Sequence, residues 1–325
     1  MTGAPTTAEA RLDAEYVLPL AADAVDQDLV AYLAFLVRAI DVTVVDGSPE
    51  PVRAALAAAL PGAVRHLAPE AWPGANGKVA GVMTGVRASR HDRVVLADDD
   101  VRYDRHALAT VVGLLDSAEV VRPQNVFGPL PWHARWDTAR SLINRAFGSD
   151  YPGTLGIRAG ALLAAGGYDG DTLFENLELI RTLHAHGAQE ARADALGVRR
   201  VPPTPRHFLG QRVRQAYDDF AQPPRLVAEL LLAPLLVVAA RRPIRLVALL
   251  GASVAVAEVG RRRSGGRALF PVTAALWAPA WVLERAVCVW VAVLHRLAGG
   301  MPYRGGRLRY AAHPVRDLAR RSAHA

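Results

Sequence analysis

Asp98, Asp99 and Asp100 stand side by side directly after an apolar run, Val94–Ala97. Adjacent carboxylates repel one another, and gathering three at a half-buried strand end is unfavourable without a cation. An oxygen-preferring divalent ion, Mg²⁺ or Mn²⁺, removes that cost and can bridge onward to a diphosphate. Alternate residues of an extended strand point the same way, so Asp98 and Asp100 are expected to converge while Asp99 faces elsewhere. The competing reading of such a triplet is a solvated acidic turn that caps the helix from Asp104.

The surrounding pattern is what brings these acids to an edge. Tyr16–Leu20, Asp41–Asp46, Ala63–Leu67 and Arg93–Ala97 read as strands. Between and after them, 29–40, 51–60, 78–89 and 104–115 carry helical spacing, the second opening on Pro51. Alternation of this kind predicts right-handed βαβ units and a mostly parallel sheet. Ligands of such sheets bind beyond the carboxyl ends of the strands, where the acid triplet falls. From Trp132 to Phe220 the alternation becomes irregular, as in an acceptor-facing half with inserted loops.

At Pro223-Pro224 the composition changes abruptly. Residues 226–240, 244–259 and 268–298 are apolar, the last interrupted by Glu284-Arg285. A single span needs about 20 residues, so the first two runs are short and suit a tilted hairpin, a re-entrant pair or interfacial helices. A buried helical subdomain is the soluble alternative. Arginines flank both ends of 244–259, so the positive-inside rule yields no clean topology. The division expected is a catalytic part over 1–221, a membrane-associated helical region over 222–300 and a basic tail over 301–325.

Charge follows the same division. Residues 1–223 hold 22 Lys/Arg against 27 Asp/Glu, whereas 224–325 hold 16 Arg against 4 acids. A nucleic-acid binder places its basic stripe on the folded domain, so nucleic acid is disfavoured as a partner. Arginines beside apolar runs suit the anionic cytoplasmic face of a membrane, at roughly 1 kcal/mol of attraction each. Cys288 is the only cysteine, which excludes an intrachain disulfide and a Cys-based zinc site. The first 16 residues lack the basic start and apolar core of a signal peptide, so the first domain is expected in the cytoplasm, anchored at the cell membrane. His184, His186 and His207 are possible ligands, but read more readily as solvated helix faces.

The stretch VLADDD is similar to the Asp-x-Asp motif of family 2 glycosyltransferases, which have the GT-A fold. That resemblance implies that Asp98 sits near the nucleoside and Asp100 holds the metal on the sugar diphosphate. Upstream, VLPL (17–20) looks like the family's first strand, with Pro19 in its usual place. VVDGS (44–48) resembles the end of its second strand, with Asp46 where a carboxylate faces the base. GKVAGVMTG (77–85) resembles the Gly-Lys helix start, where Lys78, the only lysine in the chain, can meet phosphate as a point charge. A solvated lysine at a helix start fits as well.

Downstream, Gly153–Asp169 looks like the acceptor-side strand and helix. FENLEL (174–179) falls where relatives read Glu-Asp and place the general base; here Asn176 takes the second position. Glu175 is therefore the expected base, with Glu178 on a neighbouring face of the same turn. Thr172-x-x-Glu175 also reads as a capping box, which would commit Glu175 to the backbone. QRVRQAYDDF (211–220) is similar to the Gln-x-x-Arg-Trp motif of membrane-bound members, with Gln211 and Arg214 matching and Gln215 in the tryptophan place. Arg214 there would stabilise the departing diphosphate or the acceptor; an amphipathic surface helix is the plain alternative.

The resemblance covers nearly all of 16–221. It implies inverting transfer of a hexosyl group from a UDP- or GDP-sugar, and the apolar region points to a lipid or lipid-linked acceptor. A sugar nucleotidyltransferase and a catalytically degenerate membrane scaffold of the same fold are the alternatives.

Overall fold

The computed structural model describes residues 11–148, 150–303 and 305–322. In chain order the first part runs β1 (Glu15–Leu20), α1 (Gln27–Leu36), β2 (Asp41–Asp46), α2 (Glu50–Ala59), β3 (Val64–Leu67), α3 (Gly77–Ala88) and β4 (Arg93–Ala97). These match the expected elements to within two residues, except that α1 ends four residues early. A short β5 (Val101–Arg102), α4 (Arg105–Leu114), β6 (Val120–Phe127), α5 (Trp132–Phe147), β7 (Thr154–Arg158) and α6 (Ala159–Ala164) follow. Then come α7 (Glu175–Ala185), β8 (Glu190–Arg200), α8 (Pro205–Gly210) and α9 (Arg212–Tyr217).

One eight-stranded sheet has the order β3-β2-β1-β4-β7-β6-β8-β5. β3, β2, β1 and β4 are parallel, as are β6 and β8, while β7 runs antiparallel to both its neighbours and β5 antiparallel to β8. The antiparallel β7 is where the irregular second half joins the βαβ half.

Both faces of the sheet are covered, which is why its central strands are apolar throughout. Tyr16 and Leu18 face one core with Leu33, Leu36, Val44 and Leu108, while Val17, between them, faces the other with Val82, Met83, Leu96 and Leu155. α3 lies unusually close to β1. A Cβ on Gly81 would stand 2.9 Å from Pro19 Cβ, and one on Gly85 would stand 2.3 Å from Val17 Cγ1. These two glycines let the helix settle onto the strand and bring its N-terminus to the sheet's carboxyl edge.

The apolar region forms α10 (Pro223–Leu230), α11 (Leu232–Ala240), α12 (Pro243–Arg262), two short helices α13 (Gly266–Leu269) and α14 (Val272–Ala275), and α15 (Ala278–Leu297). Among the described residues three stretches are long and apolar enough to cross a membrane: Pro223–Ala240, Pro243–Arg262 and Val272–Leu297. Only 11% of each of the first two is buried within the protein, against 39% of the third, so the first two are not the core of a soluble subdomain. The charges that interrupt the third run face the protein. Arg285 is fully buried and pairs with Asp219 at 2.9 Å, and Glu284 lies 3.8 Å from Arg212 of α9.

Residues 301–322 are not a loose basic tail. β9 (Met301–Tyr303) and β10 (Gly306–Leu308) form a hairpin, and α16 (Val315–Ser322) packs against α7. Between them, Tyr310 and Ala311 accept backbone hydrogen bonds from Leu173 and Phe174, immediately ahead of α7. Buried Leu308, Ala311 and Ala312 supply the apolar contact that a charge count over this stretch conceals.

Candidate active site

The acid triplet leaves β4 as a tight turn. Asp98 N–H donates to the Gly153 carbonyl at 2.9 Å, and Val101 N–H donates back to the Asp98 carbonyl at 3.1 Å. Asp98 and Asp100 therefore converge through a turn, not through strand alternation, and Asp99 lines the same cavity instead of facing away. The solvated-cap reading fails for the triplet, because Asp104 alone caps α4, accepting from Ala107 N–H at 2.7 Å. Gly153 is required where it stands: a Cβ there would lie 2.4 Å from Asp98 Oδ2.

A cavity of about 560 Å³ opens at this edge. Its wall includes Pro19, Lys78, Asp98, Asp99, Asp100 and Glu175, and also Gln211 and Arg214. Lys78 reaches in from the first turn of α3, whose N-cap is Asn76. Its Nζ lies 2.5 Å from Asp98 Oδ1 and 2.5 Å from Glu175 Oε1. Burial alone would weaken the Lys78 ammonium, but the two carboxylates beside it hold its pKa well above the ordinary value. Lys78 is thus a paired, partly exposed group of the cavity.

Glu175 opens α7, whose N-cap is Phe174 with no side-chain cap, so the capping box is not formed and the carboxylate is turned to Lys78. Asn176 is spoken for, donating to the Pro152 carbonyl at 3.2 Å. Gln211 and Arg214 belong to the cavity wall, which sets aside the surface-helix reading. Two expected residues are elsewhere. Glu178, on the neighbouring face of the same turn, is fully buried, accepting from His313 N–H at 2.7 Å with His313 Nδ1 2.9 Å from its other oxygen. Asp46 is likewise fully buried beneath the cavity floor formed by Val45 and Gly47. It accepts from Ser48 N–H at 2.8 Å and lies 3.0 Å from His66 Nε2; although burial opposes it, these bonds lower its pKa.

The model of the glycosyltransferase-like family 2 matches residues 30–217, more than half of the chain. The chain belongs to that family. A search of curated protein sequences finds no match to this glycosyltransferase. Among solved structures, it is similar to a mannosyltransferase from Pyrobaculum calidifontis in complex with GDP-Man and Mn²⁺, at 15% identity and TM-score 0.49 over 87% of this chain and 88% of that one. It is also similar to glucosyl-3-phosphoglycerate synthase from Mycobacterium tuberculosis, at 18% identity and TM-score 0.42 over 61% and 74%. A mannosyl-3-phosphoglycerate synthase from Rubrobacter xylanophilus aligns at 15% identity and TM-score 0.40 over 61% and 69%. The glycosyltransferase has the GT-A-like sheet that its family membership implies.

Three further residues line the cavity of the glycosyltransferase, of which Arg200 and Tyr303 carry no sequence signal of a site. Arg200, at the end of β8, places Nε 2.7 Å from Asp100 Oδ2 and an Nη 3.8 Å from Asp98 Oδ2. His207, read from sequence as solvated, is exposed but at the cavity wall. Tyr303 arrives from the C-terminal hairpin. No motif spacing links positions 98, 200 and 303; only the sheet order and the return of the chain do. The site also tests well for a divalent cation. Its donors are carboxylate oxygens, and Asp100 Oδ1 is buried without a hydrogen-bond partner, an acceptor that a cation would satisfy. Burial raises the Asp100 pKa, with Arg200 opposing and the neighbouring Asp98 and Asp99 adding to it.

Proposed function

We propose that this glycosyltransferase moves a hexosyl group from a UDP- or GDP-sugar to a hydroxyl of a lipid or lipid-linked acceptor, with inversion at the anomeric carbon. One observation carries the reading: a single cavity gathers the acid triplet, Lys78, Glu175, Gln211 and Arg214, from segments that only the fold brings together.

Asp98 and Asp100 would hold Mg²⁺ or Mn²⁺, which supplies charge neutralisation at the diphosphate leaving group. Lys78, at the start of α3, offers the phosphates an ammonium where the helix N-terminus already favours negative charge. When that ammonium turns to phosphate, it leaves Glu175 Oε1 to accept the proton of the acceptor hydroxyl as the new glycosidic bond forms. Arg214, in the wall of the same cavity, would offer a positive charge to the departing diphosphate. A single displacement with one base on the face opposite the leaving group inverts the anomeric centre. The apolar helices, with their arginines, suit attachment to the cytoplasmic face of a cell membrane and an acceptor that arrives from it.

The deciding experiment is a panel of nucleotide sugars offered to the purified chain in detergent with Mn²⁺, reading nucleotide release. Release from a UDP- or GDP-sugar that drops by roughly 100-fold or more in Asp100→Ala supports the reading. A scaffold that has lost activity would neither release nucleotide nor retain UDP or GDP in a Mn²⁺-dependent way.

A further inference from the structure

We infer that Tyr303, delivered from beyond the apolar helices, is a positioning residue of this active site, setting Arg214 and closing the wall beside the vacant tryptophan place at Gln215. This deepens the proposed function and rests on it.

Tyr303 lines the catalytic cavity together with Gln211, Arg214 and Gln215. The Arg214 guanidinium carbon lies 5.7 Å from the centre of the Tyr303 ring, within the range of a cation–π contact. The Tyr303 hydroxyl donates to Asn76 Oδ1 at 3.0 Å. Asn76 is buried, and the same oxygen accepts from Lys78 N–H at 3.1 Å while its amide donates to the Thr172 carbonyl at 3.0 Å. One tyrosine thus touches the arginine on one side and, on the other, the cap that sets the lysine. Where Gln215 stands, an indole cannot supply the aromatic face, and the Tyr303 ring supplies one from a different element.

The ring is held from several directions, which is what a positioning role demands. Tyr303 pairs with Gly306 across the hairpin. Beyond it, the Arg309 carbonyl accepts from the Tyr217 hydroxyl at 2.7 Å, tying the strap to α9 itself. Tyr310 and Ala311 pair with the residues that lead into Glu175, and His313 is locked to Glu178. The same short strap therefore braces α9, which carries Arg214, and α7, which carries Glu175.

The test uses the full chain in detergent and measures Mn²⁺-dependent affinity for UDP and GDP alongside turnover with whichever nucleotide sugar is active. Tyr303→Ala is expected to weaken nucleotide affinity about 5- to 10-fold, by an amount similar to Arg214→Ala, with turnover falling in step. Tyr303→Phe keeps the ring and should stay within about 2-fold of the wild-type chain. The double variant should be no worse than Arg214→Ala alone, because the two residues act through one contact. Wild-type affinity in Tyr303→Ala, or additive losses in the double variant, overturns the placement. A Tyr303→Phe chain as weak as Tyr303→Ala overturns it too, by assigning the effect to the hydroxyl's structural bond. If the wild-type chain binds nucleotide but releases none from any nucleotide sugar, the transferase reading falls while the affinity comparison still decides Tyr303.

Discussion

Glu175 and Glu178 sit three residues apart on α7 with opposite surroundings. Glu175 faces the cavity and Lys78, whereas Glu178 is sealed against His313. Glu175→Gln is expected to cut turnover by about 10²- to 10⁴-fold, the usual worth of a positioned base, with little change in melting temperature. Glu178→Gln should do the reverse. It weakens a buried hydrogen bond to a charged group, worth about 1.5–3 kcal/mol, and loosens the C-terminal strap. Paired kinetics and thermal melts on the two variants separate these outcomes; turnover surviving in Glu175→Gln but lost in Glu178→Gln would reverse the assignment. The charge pattern around them has one logic throughout. Three carboxylates of the edge have a cation within reach, Lys78 for Asp98 and Glu175, and Arg200 for Asp100, which offsets their mutual repulsion.

Among the elements, α3 and β1 decide how accurately the phosphate-facing end is built. The helix approaches the strand at Gly81 and Gly85, with room for hydrogen only. Gly85→Ala would gain about 1 kcal/mol of helix propensity. Overpacking against the stiff Val17 side chain costs about 1–3 kcal/mol, so the net effect should be destabilising. The expected result is a lower melting temperature together with weaker Mn²⁺-dependent nucleotide binding, since lifting α3 displaces Lys78. Equal stability with unchanged binding would show that the strand yields instead. β7 matters in a different way. Gly153, just before it, lets the backbone pass close enough to Asp98 to take its N–H, so the acid turn is shaped by an antiparallel neighbour some fifty residues away.

For the whole molecule, the contacts of the C-terminal strap constrain how the chain meets a membrane. Apart from Tyr303, the cavity-lining residues all precede Pro223, and the strap begins at Met301, yet Tyr303 bonds Asn76 and His313 bonds Glu178. Both ends of the apolar region therefore lie on one side, and any crossings between them must be even in number. Of the three stretches long enough to cross, the third is the one set against the catalytic part, with Arg285 and Glu284 turned into it. With Cys288 changed to Ser, single cysteines introduced as Arg206→Cys and Arg320→Cys should respond alike to a membrane-impermeant maleimide in intact cells. Labelling of one but not the other would mean an odd number of crossings and would contradict the observed packing.

The strands and helices from Tyr16 to Leu115 were legible from local periodicity, and the resemblance of short motifs pointed to the acid edge, Lys78, Glu175, Gln211 and Arg214, which line one cavity. Asp46 and Glu178 carried the right chemistry but proved to be buried hydrogen-bond anchors, since residue type does not reveal which way a carboxylate turns. Arg200 and Tyr303 left no local trace as cavity residues, and His207 showed only as one possible ligand among several histidines. They reach the cavity only because β8 closes the far side of the sheet and the chain returns after α15, contacts across about a hundred or more positions that no spacing encodes. Likewise the basic composition of 301–325 suggested a tail, while buried apolar residues and backbone pairings dock the described part of it and bring Tyr303 to the cavity wall. Local pattern sets which groups are available; long-range pairing and burial decide which of them meet.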